Sequence, residues 1–292
     1  MEARRRDLAV RTGTVSLLEW IPAEPAGPDI LLLHGGGLDS AEPSWGETGL
    51  ALAAAGHRVF APDHPGFGRS IPWAQPITQE RLVAHVGDLV DALGLDRPVV
   101  GGLSLGGGMT LGHLLARPGA TRAALLLGAY GTMSRLVGGP FGLPLHALTW
   151  LVVRSGALPG ITRRYARDAA SVERSLRPLV RDPARRTPEL VDAVLAEARG
   201  PAPESFGQWQ ADQVLPTRLR TDYSPRLAEL DLPVLVVHGD RDTGVPVARA
   251  RAAAQTLPDA RLVVVSDAGH WVQRDRPDAV HAAMIDFLAG LD

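Results

Sequence analysis

Val99-Val100-Gly101-Gly102-Leu103-Ser104-Leu105-Gly106-Gly107-Gly108-Met109-Thr110 passes from strand composition, through a glycine-flanked serine, into a helical pattern. Gly102 to Gly106 has the spacing G-x-S-x-G, in which a serine sits on a strand-to-helix turn too sharp for Cβ atoms at the flanking positions. Three glycines in a first helical turn would cost roughly 1 kcal/mol each in a helix interior, so Gly106, Gly107 and Gly108 predict close packing against neighbouring strands. The same turn presents the free N–H groups of a helix N-terminus to any negative charge forming beside Ser104. Ser104 is therefore a candidate nucleophile. With 32 glycines in the chain, a chance match competes with that reading, and the surrounding sequence has to decide between them.

Outward from this stretch the chain alternates. Leu8 to Trp20 alternates apolar and polar around Thr12-Gly13-Thr14 and predicts a hairpin at a sheet edge. Asp29 to Leu33 is a continuous apolar run ending in His34-Gly35-Gly36-Gly37, as in a strand buried on both faces. Helical composition covers Gly49 to Ala55, and Arg58 to Pro62 is a further strand. Leu82, Val83, Val86, Leu89, Val90 and Leu93 form one helical face that Gly94 stops. After a strand at Arg122 to Leu127 the rhythm lapses for about ninety residues, too long for an ordinary connection. Within that lapse Thr187 caps a helix with Pro188 at its first position, and Gly200 ends it. Strands at Pro233 to His238 and Arg261 to Val265 follow, with helices near Val247 to Thr256 and after Pro277. Alternating β and α elements predict a mostly parallel sheet flanked by helices, an α/β fold.

Composition narrows the chemistry. The 292 residues are 45% hydrophobic, ample for a large core, and the net charge of −2 with scattered arginines excludes a basic nucleic-acid surface. Lysine is absent and cysteine is absent, which removes Schiff-base chemistry, thiol nucleophiles, disulfides and thiolate metal sites. Met1 to Asp7 is charged and leads into an alternating segment, with no apolar region typical of a secretory signal, so a cytoplasmic location is expected. The apolar stretch Leu143 to Val153 contains His146 and is too short to span a bilayer.

In parallel sheets, chemistry gathers at the carboxyl ends of the strands. Those ends hold Ser104, then His238-Gly239-Asp240-Arg241-Asp242, then Ser266-Asp267-Ala268-Gly269-His270-Trp271, giving nucleophile, acid and base in one chain order. Both Asp240 and Asp242 qualify as the acid from residue type alone.

Taken together these motifs resemble the α/β-hydrolase fold with an inserted helical cap. The resemblance implies a core domain of residues 1–132 and 224–292, and a cap of residues 133–223. It further implies Asp242 as the acid, three residues after the glycine ending its strand, and His270 of the Gly-His pair as the base. The oxyanion donors would be the N–H groups of Gly36 and Leu105, and Asp63 to Ser70 matches the family's D-x-x-G-x-G-x-S turn. Trp150, Phe206 and Trp209 are expected in the cap core or on the pocket wall, with Trp150, Trp209 and Trp271 as the substrate-pocket candidates, while His34 is expected to orient its loop through a backbone hydrogen bond. No metal and no organic cofactor are expected.

Serine is a weak nucleophile at its free pKa, so a histidine must take its proton and a carboxylate must fix the imidazole tautomer. The activity expected is hydrolysis of a carboxylic ester or related acyl bond in a small-molecule substrate. An alternative is carbon-carbon bond hydrolysis of the meta-cleavage-product type, which the chain resembles in His34 to Gly37, Tyr223 to Leu230 and Gly269-His270-Trp271. Members of that group commonly carry Asn before the nucleophile and Pro after the glycine run, where this chain has Leu103 and Leu38. A non-hydrolytic member of the fold, whether a ligand-binding protein, a biosynthetic cyclase or a cofactor-independent oxygenase, is a third reading.

Overall fold

The computed structural model describes residues 2–136 and 141–291. Eight strands form one sheet: β1 (Arg4–Val10), β2 (Gly13–Trp20), β3 (Ile30–Leu33), β4 (Val59–Pro62), β5 (Val99–Leu103), β6 (Ala123–Leu127), β7 (Val234–Gly239) and β8 (Ala260–Val265). Their order across the sheet is β1-β2-β4-β3-β5-β6-β7-β8. The β1–β2 hairpin lies at one edge, and β2 pairs antiparallel with β4; every pairing from β4 to β8 is parallel. The β5 strand sits near the centre with its carboxyl end at the point where the chain order reverses, the place where parallel sheets open a crevice.

Between strands run α1 (Ala41–Ala54), α2 (Gln79–Leu93) and α3 (Leu105–Ala116). The α1 helix is longer than the sequence reading of Gly49 to Ala55. Pro43 and Gly46 obscure its periodicity, yet proline is tolerated in a first turn where its missing N–H would be unpaired anyway. Gly49 has a packing reason, since a Cβ there would lie 2.6 Å from the Trp20 ring. The α2 helix stops at Gly94, whose φ of 62° is the left-handed conformation that glycine adopts without penalty.

Between β6 and β7 the described chain is helical: α4 (Gly142–Arg154), α5 (Leu158–Tyr165), α6 (Ala169–Leu176), α7 (Pro188–Arg199) and α8 (Ala202–Gln213). Thr187 caps α7 by accepting the Leu190 N–H at 3.3 Å, with Pro188 at the first position. His146 pins α4, its Nδ1 accepting the Leu136 N–H and its Nε2 donating to the Leu215 carbonyl at 2.9 Å. The fold closes with α9 (Val247–Thr256), a short α10 (Val272–Asp275) and α11 (Pro277–Ala289).

The core lies on both faces of the sheet. Val99 and Leu103 of β5 pack into one apolar cluster with α1 and α11, while Val100 packs into the other with α2 and α3. This alternation is the pleat of a strand buried on both sides. Both clusters anchor the end of β5 from which Ser104 projects.

Candidate active site

Ser104 adopts φ 52° and ψ −112°, a left-handed conformation costly for any residue with a Cβ. The surrounding packing holds it there. Its N–H donates to the Leu127 carbonyl at 2.9 Å, and its own carbonyl accepts from Gly108 at 3.0 Å and from Tyr130 at 2.9 Å. A Cβ on Gly102 would stand 2.2 Å from the Gly106 carbonyl carbon, and one on Gly106 would stand 2.1 Å from the Leu33 oxygen. A Cβ on Gly107 would meet the Ala129 Cβ at 2.6 Å, and one on Gly108 would lie 3.0 Å from the Tyr130 ring. The glycine run thus serves close approach of α3 to β3 and β6, as the sequence predicts.

Asp242 and His270 come together from separate loops. His270 Nδ1 and Asp242 Oδ2 are 2.8 Å apart, while Asp242 Oδ1 accepts the Gly244 and Val245 N–H groups at 2.7 and 2.9 Å. A second histidine completes this arrangement. His238 Nε2 donates to the Val245 carbonyl at 2.8 Å and lies 3.2 Å from the same Asp242 Oδ2. Burial by itself would raise the Asp242 carboxyl, but hydrogen bonds from His238 and His270, with the backbone donors, hold it well below the ordinary carboxylate range. Asp240, the competing acid, is exposed at the surface. His238 was not singled out as part of this group; its position directly before Gly239 at a strand end was the available signal.

The glycine loop after β3 is fixed by buried groups. His34 donates from Nδ1 to the Gly35 carbonyl at 2.8 Å, accepts the His64 N–H at Nε2 at 2.9 Å, and stacks on the His64 ring at 3.8 Å. Burial lowers its pKa to about 3, so this imidazole is neutral and structural, as expected of a loop-orienting histidine. Asp39, which sequence reasoning did not pick out, accepts the Gly35 N–H at 2.6 Å, the Ser44 hydroxyl at 2.7 Å and the Ser40 N–H at 2.8 Å. Burial pushes its carboxyl up to about 7, against the opposing pull of those three donors.

Ser104, His270, Gly36 and Leu105 all line one cavity of about 350 Å³. Its walls are mostly apolar: Tyr130, Met133, Leu136, Leu179, Phe206, Trp209, Leu219 and Trp271, with Gln210 and Gln213 as further polar groups. Phe206 and Trp209 stack at 5.6 Å, and Tyr130 meets Trp209 edge-on at 4.8 Å while donating its hydroxyl to Gln213 at 3.0 Å. Two of the three expected pocket tryptophans, Trp209 and Trp271, are on this wall. Trp150 is not on it: it is partly buried against the apolar cluster that also contains Val153 and Trp209. The α8 helix supplies Phe206, Trp209, Gln210 and Gln213 to the lining. Among the described residues, no group of three or more His, Asp or Glu side chains is arranged to hold a metal ion. Nor is any described helix long and apolar enough to cross a membrane.

A family model described as the alpha/beta hydrolase fold matches residues 28–277. The chain belongs to the α/β-hydrolase fold family. It is 30% identical over 263 residues to a 2-hydroxy-6-oxononadienedioate/2-hydroxy-6-oxononatrienedioate hydrolase of Dechloromonas aromatica, covering 89% of this chain and 86% of that protein. It is 28% identical over 280 residues to a 2-hydroxy-6-oxo-6-phenylhexa-2,4-dienoate hydrolase of Burkholderia cepacia, covering 90% and 88%. A thermophilic esterase from Thermogutta terrifontis superposes with a TM-score of 0.75 over 99% of both chains at 22% identity. As an α/β-hydrolase, this chain has its strained serine, its buried Asp-His pair and its glycine loop at the sheet end where the parallel strands open.

Proposed function

We propose that this α/β-hydrolase is a serine hydrolase of an uncharged, apolar acyl compound, with a carboxylic ester as its substrate class. One observation carries the reading: the strained Ser104 shares a cavity with His270, whose Nδ1 is bound to the buried Asp242. Because Asp242 accepts at Nδ1, that nitrogen carries the proton, and Nε2 is left with the lone pair that a general base needs. Ser104 attacks the substrate carbonyl as His270 takes its proton, and the resulting oxyanion faces the N–H groups of Gly36 and Leu105. Donors of this kind contribute about 2.7–4 kcal/mol each. His270 then protonates the departing alcohol, and water releases the acyl group by the same route. The helical segment at residues 133–223 acts as a cap, with α8 shaping the acyl pocket.

The cavity's charge favours an ester over a dienoate. A 2-hydroxy-6-oxo-dienoate brings a carboxylate and a second ionisable oxygen, and burying such charge without a partner is costly. No Arg is among the described residues lining the cavity, and its polar groups beyond Ser104 and His270 are Tyr130, Gln210 and Gln213. Leu103, directly before the nucleophile, is fully buried and offers no hydrogen bond. Carbon-carbon hydrolysis is the second reading. It is supported by the activities named for the two relatives and by Trp271 beside His270 on the cavity wall. Steady-state kinetics on p-nitrophenyl esters and on a 2-hydroxy-6-oxo-dienoate decide between them: the ester reading expects the higher kcat/KM on the esters, and a much higher value on the dienoate overturns it.

A further inference from the structure

The α4 helix turns an apolar face to solvent. Phe141 before its first turn, then Pro144, Leu145, Leu148 and Leu151, recur at three- and four-residue spacing, and at 3.6 residues per turn they fall within an arc of about 120°. Phe141, Leu145, Leu148 and Leu151 are 72, 46, 57 and 57% exposed. The opposite side, Gly142, His146 and Val153, is the buried one. On the neighbouring α5, which like α4 packs on α8, Tyr165 is 66% exposed one turn after the partly exposed Ile161. Isolated exposed leucines need no explanation, but a face this continuous marks a surface that something covers.

The charges around it indicate what that is. From Asp96 to Asp168 the sequence has no acidic residue between those two, and residues 135–167 carry five arginines, in a chain whose net charge is −2. Arg163 is paired with Glu204 and Arg167 with Asp168, whereas Arg154 and Arg164 are exposed and have no carboxylate partner among the described residues. An exposed apolar helix face, with unpaired exposed arginines in the same acid-free segment and an exposed tyrosine on the next helix, matches an anionic lipid–water interface, where the apolar side chains enter the acyl boundary and the guanidinium groups meet phosphates. A second copy of the chain fits worse. A twofold contact through this face would set the same arginines against each other, with no carboxylate on the segment to answer them.

We propose that α4 and α5 form a docking face for an anionic lipid surface, on which the molecule lies without spanning it. The test is flotation of the intact protein with equimolar phosphatidylglycerol–phosphatidylcholine vesicles, against vesicles of phosphatidylcholine alone. Binding to the anionic vesicles at least tenfold tighter, weakened by raised salt, is expected. Leu148→Glu with Leu151→Glu, and separately Arg154→Glu with Arg164→Glu, should each reduce that binding tenfold or more; all four side chains lie outside the cavity, so hydrolysis of a water-soluble ester should stay unchanged and report intact folding. Failure of the unmodified protein to float with anionic vesicles overturns the proposal, as does equal binding by the variants. A dimer in sedimentation equilibrium that Leu148→Glu dissociates also overturns it, in favour of an interface between copies. Flotation needs no substrate, so a negative result leaves the hydrolase reading standing, and the reverse holds.

Discussion

Replacing Asp242 by Asn changes no volume but redirects a proton. Asp242 Oδ1 accepts two backbone N–H groups, from Gly244 and Val245, while Oδ2 faces His270 and His238. An asparagine has one acceptor end and one donor end. Turning the amide NH2 toward the loop would set it against two backbone N–H donors, so the carbonyl end keeps the loop and the NH2 faces His270 Nδ1. That nitrogen must then accept, which moves the ring proton to Nε2, the atom that receives the Ser104 proton in the proposed mechanism. A wrong tautomer of this kind in a serine hydrolase lowers kcat by about 10⁴, or roughly 5.5 kcal/mol. Asp240→Asn, at an exposed position on the same loop, should leave kcat within about twofold, in the usual range for surface substitutions. The assay is kcat on a p-nitrophenyl ester for both variants, with thermal unfolding to show that each is folded. A folded Asp242→Asn enzyme within tenfold of the parent, or an Asp240→Asn enzyme more damaged than Asp242→Asn, would refute the tautomer argument.

Ser104→Ala should keep the fold, lose on the order of 10⁴-fold or more of kcat, and escape labelling by a fluorophosphonate; near-normal turnover by the folded variant would remove Ser104 from the mechanism. Phe206→Ala should raise KM for bulky apolar esters severalfold because Phe206 is on the cavity wall, whereas Trp150→Ala should change stability and leave KM alone; the opposite pattern in a chain-length series would put Trp150 back in the pocket. His34 is buried with its pKa lowered to about 3, so the unfolded chain binds its proton first as pH falls. The stability linked to this residue is complete above about pH 6.5 and declines below it, by about 2 kcal/mol at pH 5. Urea unfolding at pH 7 and pH 5 reads this directly, and a His34→Gln variant with an unchanged pH dependence would show that other groups carry it.

Much of the architecture was legible in the sequence because it rests on local stereochemistry. Apolar runs such as Leu31-Leu32-Leu33 and Val234 to Val237 mark strands covered on both faces, and the G-x-S-x-G flanks are glycine because a Cβ there would stand about 2 Å from backbone. Thr187-Pro188 and Gly94 mark helix ends through a cap and a left-handed φ, both properties of a few adjacent residues. Tertiary structure decided what depends on distance between remote segments. Asp240 and Asp242 are equal by residue type and only the family resemblance favours Asp242; in the fold the approach of the His270 loop, with His238 on the other side, physically distinguishes them. Asp39 is the local exception: its partners Gly35, Ser40 and Ser44 are all within five residues, but the irregular turn that brings them onto its carboxylate has no periodicity to mark it in the sequence. The periodicity of α4 likewise shows an apolar helix without saying which side is covered. In the fold His146 and Val153 are buried, with His146 held by Leu136 and Leu215, while Leu148 and Leu151 face solvent, a choice between two apolar sides that the helix's own periodicity does not make.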